Sequence, residues 1–187
     1  IMNLSLAAKR TLRRALNVPV DVLVVGRKIL QKKQILLVCF PKSGSTFISA
    51  KIARLPGWGK FSFVPAGGRR DQELEQSTIV RVMLSFSGFG KNLVAQHHCR
   101  ASEHSLQLVN KFDMKVVVLV RSLMDVALSL SDHWDRESVV GPIAYLNESL
   151  LAELDASPVT RLQFIVQHVL PWYVSFYLSW LLHGGEI

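Results

Sequence analysis

One short segment of this chain combines a lysine, a glycine and three hydroxyl residues, and such a set can bind a phosphate group. Residues 42–46 read Lys-Ser-Gly-Ser-Thr, after an apolar run at residues 35–40 and before a helical pattern. The first backbone N–H groups of a helix have no partner inside it, and the helix dipole adds partial positive charge at that end. The lysine adds a full charge, and glycine lets the backbone approach a ligand closely. The spacing therefore predicts a strand, a phosphate-binding loop and a helix, in that order.

The order of residues in this loop differs from a Walker A motif. That motif is G-x-x-x-x-G-K-[ST], in which the lysine follows the second glycine. Here Lys42 precedes Gly44, and the pair Gly90-Lys91 lacks both the upstream glycine and a following hydroxyl residue. The sequence therefore disfavours an ordinary P-loop ATPase or GTPase.

A second segment places an arginine directly after a predicted strand and a serine eight residues later. Residues 115–120 form an unbroken apolar run, which is typical of a strand buried on both faces of a parallel sheet. Arg121 would then lie at the carboxyl edge of that sheet, where open α/β sheets bind ligands, and Ser129 would lie on the next helix. A guanidinium offers paired donors in one plane, which suit a phosphate dianion. The alternative for Arg121 is an ion pair with Asp125.

Together, the two segments resemble those of the PAPS-dependent sulfotransferases. The order P-K-S-G-S-T at residues 41–46 is close to the family's 5′-phosphosulfate loop, PKSGTTW, and residues 115–134 are similar to its 3′-phosphate segment. The resemblance covers roughly residues 34–135. It implies an α/β fold with a P-loop NTPase-like parallel sheet flanked by helices. It also implies a sulfotransferase that moves the sulfuryl group of PAPS to a hydroxyl or amine acceptor.

The resemblance assigns a role to each candidate residue. It implies that Lys42 stabilises the charge on the leaving 5′-phosphate, that Arg121 and Ser129 hold the 3′-phosphate, and that no metal is required. Phe47 stands where the family typically has tryptophan, so we expect it to stack on adenine. The residues expected to bind the cofactor are Lys42, Ser43, Gly44, Ser45, Thr46, Phe47, Arg121 and Ser129.

A pair of histidines, His97 and His98, ends the predicted strand Leu93–His98. In the family, a histidine at the end of this strand takes the proton of the acceptor, and matching Gln96-His97-His98 to the family's K-T-H favours His98. Successive residues of a strand point to opposite faces, so at most one ring should enter the site, and His97 is the alternative. Histidine suits proton transfer because its pKa lies near neutrality. Either ring could instead be a core residue bonded to the backbone.

One departure from the family leaves other functions open. Family members carry a later basic, glycine-rich segment over the 3′-phosphate and adenine, and residues 136–187 contain no counterpart, which predicts a truncated or compact member. The first alternative is a nucleotide-binding or membrane-associated module without turnover. The second is a Mg²⁺-dependent nucleotide kinase with a degenerate P-loop. The sequence does not identify the acceptor.

Composition predicts one domain with a basic N-terminal arm. The 187 residues are 49% hydrophobic, enough for a full core. The net charge is +8, and residues 1–33 hold eight basic side chains and one acidic side chain, so residues 34–187 are close to neutral. A nucleic-acid partner is therefore not expected, whereas the arm suits either a solvated helix or peripheral contact with an anionic membrane. Cys39 and Cys99 have no metal or disulfide spacing, which favours buried thiols in a reducing, cytoplasmic compartment.

The remaining pattern predicts mostly helices and loops. Residues 162–185 carry no charged side chain, and we expect a buried core helix there, with a membrane span as the alternative. Residues 58–70 predict a long loop. The predicted helices cover residues 46–55, 71–83, 102–112 (capped by Ser102), 123–134, 142–154 and 158 onwards.

Overall fold

The chain forms an α/β fold built on a parallel sheet flanked by helices. The structure, a computed structural model, describes residues 33–65, 72–85, 90–137 and 158–183. Its four-stranded sheet has the order β2-β3-β1-β4, and all pairs are parallel. The strands are β1 (Gln34–Cys39), β2 (Trp58–Phe61), β3 (Asn92–His97) and β4 (Lys115–Leu119). This confirms the predicted α/β class and the predicted strands at residues 35–40, 93–98 and 115–120.

Helices connect and cover these strands. They are α1 (Ser45–Ala53), α2 (Gln76–Leu84), α3 (Glu103–Lys111), α4 (Leu123–Glu137), α5 (Pro158–Phe164) and α6 (Leu170–His183), with a π-helical segment at Ile165–Val169. The Ser102 hydroxyl accepts from the Ser105 N–H, so Ser102 caps α3 as predicted. Residues 1–32 of the predicted arm (residues 1–33) and the predicted helix at residues 142–154 lie outside the described residues.

The direction of the strand connections determines where the loops of the sheet diverge. The connection from β1 to β2 crosses β3 in one direction, and the next two connections run the other way. Right-handed crossovers then put α1 on one face and α2 and α3 on the other. Leu36 and Val38 accordingly belong to the main core, whereas Ser49 of α1 hydrogen-bonds Gln96 on the opposite face. The connections diverge at the carboxyl ends of β1 and β3, where open α/β sheets bind ligands.

The structure corrects the predicted loop at residues 58–70. Trp58–Phe61 is strand β2, which pairs with β3 from Asn92 to Ala95. Gly57 and Gly59 favour a loop in the sequence, but β3 supplies hydrogen-bond partners that a local pattern does not show. Residues 66–70 lie outside the described part of the chain.

The predicted helix at residues 71–83 is also corrected, because α2 begins only at Gln76. Residues 72–75 are extended, and their backbone groups bond elsewhere: the Gln72 N–H donates to the His98 carbonyl and the Glu75 N–H to the Phe63 carbonyl. Such tertiary hydrogen bonds outweigh a local helical preference. Asp71 lies outside the described residues.

Strand β4 is not buried on both faces as its sequence predicts. Among the described residues it pairs only with β1, and Val117 and Val118 are 44% and 39% exposed. Its β-branched composition reflects strand preference, which is the same for an edge strand and a central one.

One face of helix α6 packs into the core, which confirms the predicted core helix for that face, whereas Val174, Tyr177 and Leu178 on the other face are 42–45% exposed. Tyr173, Phe176 and Trp180 are buried, and Phe40 packs edge-on against the first two, with ring centroids 4.8 and 5.9 Å apart. The Trp180 indole N–H donates to the Cys99 carbonyl at 2.9 Å. Within residues 33–65, 72–85, 90–137 and 158–183, no helix has both the length and the hydropathy to cross a membrane.

We expect Trp180→Phe to lower the free energy of unfolding by about 2–3 kcal/mol, because it removes packing and leaves the buried Cys99 carbonyl without its donor. Urea unfolding followed by circular dichroism measures this. The matched control is Leu182→Ala on the same helix, where the side chain is 76% exposed. The control should change stability by less than about 0.5 kcal/mol, and equal effects of the two variants would contradict the core role of α6.

Candidate functional site

The loop between β1 and α1 has a backbone shaped to face a ligand. Lys42 and Gly44 both adopt left-handed conformations, with φ of 64° and 85°. For glycine this costs little, but for lysine it costs about 1–2 kcal/mol. Strain of this kind collects at functional sites, where the surrounding structure imposes it.

Within the described part of the chain, no side chain caps the N-terminus of α1. Gly44 is the N-cap residue, no side chain bonds to the first N–H groups, and no acidic residue lies in the first turn. The N–H groups of Phe47 and Ile48 bond to the Gly44 carbonyl, which leaves the earlier ones directed along the helix axis. An anion is the natural partner for such an end.

Ser43 provides a second indication of a ligand. Its side chain is only 9% exposed, and its hydroxyl has no hydrogen-bond partner among the described residues. An unsatisfied buried hydroxyl costs roughly 1–3 kcal/mol, which a ligand oxygen would offset. A hydrogen bond from the Ser43 hydroxyl would stabilise the thiolate form of Cys39. Burial nevertheless raises the pKa of that thiol to about 11, so Cys39 stays protonated at neutral pH.

The two predicted anion-binding segments meet. Arg121 Nη1 donates to the Lys42 carbonyl at 3.2 Å, because β1 and β4 are neighbours and end at the same level. The predicted alternative contact also exists: Arg121 Nε lies 3.7 Å from Asp125 Oδ2. Both side chains of that pair are about half exposed, so the ion pair adds little and leaves the guanidinium able to turn towards a stronger acceptor.

Ser129 and Phe47 lie on the helices that follow the two segments, Ser129 on α4 and Phe47 on α1. Ser129 is one turn beyond Asp125 on the same face of α4, and no hydrogen bond joins it to the loop or to Arg121 in the described part of the chain. Phe47 is 66% exposed, and the ammonium of Lys51 lies 5.3 Å from its ring centroid. An exposed ring beside the loop is the arrangement that stacking on a base requires.

The ring of His97 is held in the core. It is 2% exposed, its Nε2 accepts from the Phe63 N–H at 2.9 Å, and its Nδ1 lies 3.2 Å from Gln72 Oε1. These partners define the neutral ring with the proton on Nδ1. Burial, and less strongly the neighbouring His98 and Lys60, lowers the pKa of His97 to about 4.

The ring of His98 is set differently. Its Nδ1 lies 2.7 Å from the Cys39 carbonyl, and since a carbonyl only accepts, Nδ1 carries the proton. The other nitrogen, Nε2, then holds a lone pair that can accept a proton. Burial lowers the pKa of His98, while the bond to Cys39 opposes that shift. The His98 N–H also donates to Gln72 Oε1 at 2.8 Å, which fixes the backbone at the end of β3.

Two further features adjoin these residues, and nothing in the sequence pattern predicts either. Lys60 of β2 and Gln96 of β3 form a hydrogen-bonded network with Ser45 and Ser49 of α1. Gln72 also borders a cavity of about 240 Å³ beyond the end of β3. Polar side chains that line this cavity include Glu73, Arg100, Ser102, Ser175 and Ser179.

Comparison with known proteins adds no family to this description. No protein-family model matches the sequence, and no curated protein or solved structure matches it either.

The buried neutral histidines predict a loss of stability in mild acid. The pKa of His97 is about 4 in the folded chain against 6.5 ordinarily, so between these values the unfolded chain binds the extra proton. The contribution of His97 is therefore complete above pH 6.5 and disappears as the pH falls to about 4, a loss of roughly 3 kcal/mol. His98 adds to the same trend.

Urea unfolding at several pH values, for the wild type and for His97→Gln, measures this loss. The variant should be less stable at neutral pH but should lose roughly 3 kcal/mol less on acidification, since the carboxylates contribute equally to both proteins. Identical pH slopes would show that His97 is not buried neutral. An NMR titration of the His97 ring tests the same statement where the variant folds poorly.

Proposed function

We propose that this chain is a PAPS-dependent sulfotransferase with a P-loop-like sulfotransferase fold, which transfers the sulfuryl group of PAPS to a hydroxyl or amine acceptor. The observation that carries the proposal is the contact between Arg121 and the Lys42 carbonyl. It means that the segments resembling the 5′- and 3′-phosphate sites of that family are adjacent in space. The loop at the carboxyl end of the central strand β1 supports the same fold.

The residues of the site fit PAPS. The uncapped N-terminus of α1 and the orphaned Ser43 hydroxyl suit the 5′-phosphosulfate group. Arg121, at the end of the neighbouring strand, suits the 3′-phosphate, with Ser129 on α4 as a second donor. Phe47 offers an exposed ring for adenine. When bound, PAPS supplies an activated sulfuryl group and a bisphosphate leaving group.

Three side chains then do the chemistry that remains. Lys42 stabilises the negative charge that appears on the leaving phosphate, with help from the N–H groups of the loop. His98 Nε2 accepts the proton of the acceptor hydroxyl or amine, because the Cys39 carbonyl holds the other nitrogen protonated. Arg121 orients the nucleotide for in-line transfer. The cavity next to Gln72 lies at the same end of β3 and is a candidate site for the acceptor.

Binding of the product tests the role of Arg121. We expect PAP, which carries the 3′-phosphate, to bind more tightly than ATP, and Arg121→Ala to weaken PAP by about 10- to 100-fold but ATP by clearly less, since ATP loses only the contact that orders the loop. Calorimetric titration measures both ligands. The control is Arg54→Ala, a change of equal charge at the far end of α1. Equal affinity of the wild type for PAP and ATP would contradict a 3′-phosphate site, and a parallel loss of both ligands in Arg121→Ala would indicate a purely structural arginine.

Turnover tests the role of Lys42. We expect Lys42→Ala to lower the rate of transfer of radiolabelled sulfate by roughly 10²–10³-fold, since the stabilisation of the leaving phosphate is lost. PAP affinity should fall much less. The assay covers hydroxyl and amine acceptors with EDTA present, and Lys91→Ala, an exposed lysine outside the loop, is the control. Unchanged turnover in Lys42→Ala would rule out this mechanism, and EDTA-sensitive phosphoryl transfer from ATP, measured in parallel, would point to a magnesium-dependent kinase.

A further inference from the structure

Four polar side chains connect strand β2 to the first turn of α1. Gln96 Oε1 lies 2.8 Å from Ser49 Oγ and 3.1 Å from Lys60 Nζ, and Lys60 Nζ also lies 2.8 Å from Ser49 Oγ. On its other side, Gln96 Nε2 lies 2.9 Å from Ser45 Oγ. The chain of contacts therefore runs from Lys60 through Gln96 to Ser45, the first residue of α1 after Gly44.

The charge of Lys60 fixes the orientation of the Gln96 amide. An ammonium group has three donors and no acceptor, so the amide atom that faces Lys60 must be the oxygen. The reverse orientation would bring two donors together at 3.1 Å. The amide nitrogen must therefore face Ser45, and the Ser45 oxygen must accept from it.

This orientation determines what the Ser45 hydroxyl can do. A serine hydroxyl has a single proton, and because Gln96 already donates to its oxygen, that proton is directed to another acceptor. Ser45 is 4% exposed, and no nitrogen or oxygen among the described residues accepts from it. The nearby Cys39 sulfur is at most a weak acceptor. Among the described residues the buried Ser43 hydroxyl also lacks a nitrogen or oxygen partner, so apart from the Cys39 thiol, which both hydroxyls can reach, neither donor of this loop has an acceptor.

We propose that Lys60 and Gln96 are positioning residues that keep the Ser45 hydroxyl directed at an oxygen of the phosphate group bound by residues 42–46. This proposal rests on the proposed function and deepens it. Lys60 acts through Gln96, with Ser49 as the second hydroxyl that holds the amide oxygen. The affinity of the loop for a phosphate thus depends on Lys60 of β2, a strand that β3 separates from β1 in the sheet.

A double-mutant cycle tests the proposal, with PAP binding measured by calorimetry. Gln96→Glu still accepts from Lys60 and Ser49 but no longer donates, so the Ser45 hydroxyl turns to the carboxylate and PAP affinity should fall by about tenfold or more. Part of that loss comes from repulsion between the new carboxylate and the phosphate, and this part persists when the Ser45 hydroxyl is removed. In the Ser45→Ala background the effect of Gln96→Glu should therefore shrink by about fivefold or more. An unchanged effect in that background would overturn the proposal.

Lysine variants separate positioning from direct contact. Lys60→Met frees the amide to reverse, and we expect about three- to tenfold weaker PAP binding in the wild-type background and almost none of this loss in Ser45→Ala. Lys60→Arg restores the donor and should bind within about twofold of the wild type. If Lys60→Met costs the same affinity in both backgrounds, Lys60 contacts the ligand itself and the positioning role is wrong. Lys60 is exposed, and thermal melts confirm that each variant is folded.

Inorganic pyrophosphate, used as a second probe, distinguishes this proposal from the proposed function. Pyrophosphate has no 3′-phosphate, so it reports on residues 42–46 alone. If the wild type binds pyrophosphate but does not prefer PAP to ATP, the sulfotransferase assignment fails. The Gln96→Glu and Ser45→Ala cycle, repeated with pyrophosphate as the ligand, then still decides the role of Gln96. If the wild type binds neither PAP nor pyrophosphate, the Ser45 hydroxyl has no phosphate to meet and the proposal is wrong.

Discussion

The hydrogen bond from Arg121 to the Lys42 carbonyl is the contact on which the rest of the site depends. Parallel pairing aligns Cys39 with Leu119, so the chain leaves both strands at the same level and brings residues 42 and 121 together. A trans peptide holds its carbonyl and the following N–H in opposite directions. The bond therefore also fixes the Ser43 N–H, which must point away from the guanidinium. One contact thus sets the distance between the two cationic groups and the direction of a loop donor.

On the side of β1 that faces β3, two glutamines orient neighbouring polar groups through their neutral amides. Gln72 accepts from the His98 N–H and lies against His97, while Gln96 bonds Ser45 and Ser49. An amide carries a donor and an acceptor, so it fixes the proton of a neighbour without adding charge. A carboxylate in either position would repel a phosphate. A lysine would need its own buried partner.

The sequence predicts the parts of this site that local patterns encode. Strand, loop and helix at residues 34–53 follow from one segment, and the strand ending at Arg121 follows from another. What local patterns do not encode is pairing: β2 exists because β3 offers it partners, and Lys60 reaches Gln96 for the same reason. The sequence also does not predict that Val118 is exposed, because a run of β-branched residues looks the same on an edge strand and on a central one.

The loop is locally unfavourable, and the core next to it explains how it persists. A left-handed Lys42, an orphaned Ser43 hydroxyl and an uncapped helix end each raise the free energy of the unliganded chain. Phe40, directly before the loop, is 2% exposed and packs on Tyr173 and Phe176 of α6. Burial of that ring stabilises the segment by about 1.5–3 kcal/mol, comparable with the cost of one of these features. Folded chains usually keep local and global preferences consistent, so three violations in five residues, next to an aromatic anchor, support the proposed role of this segment.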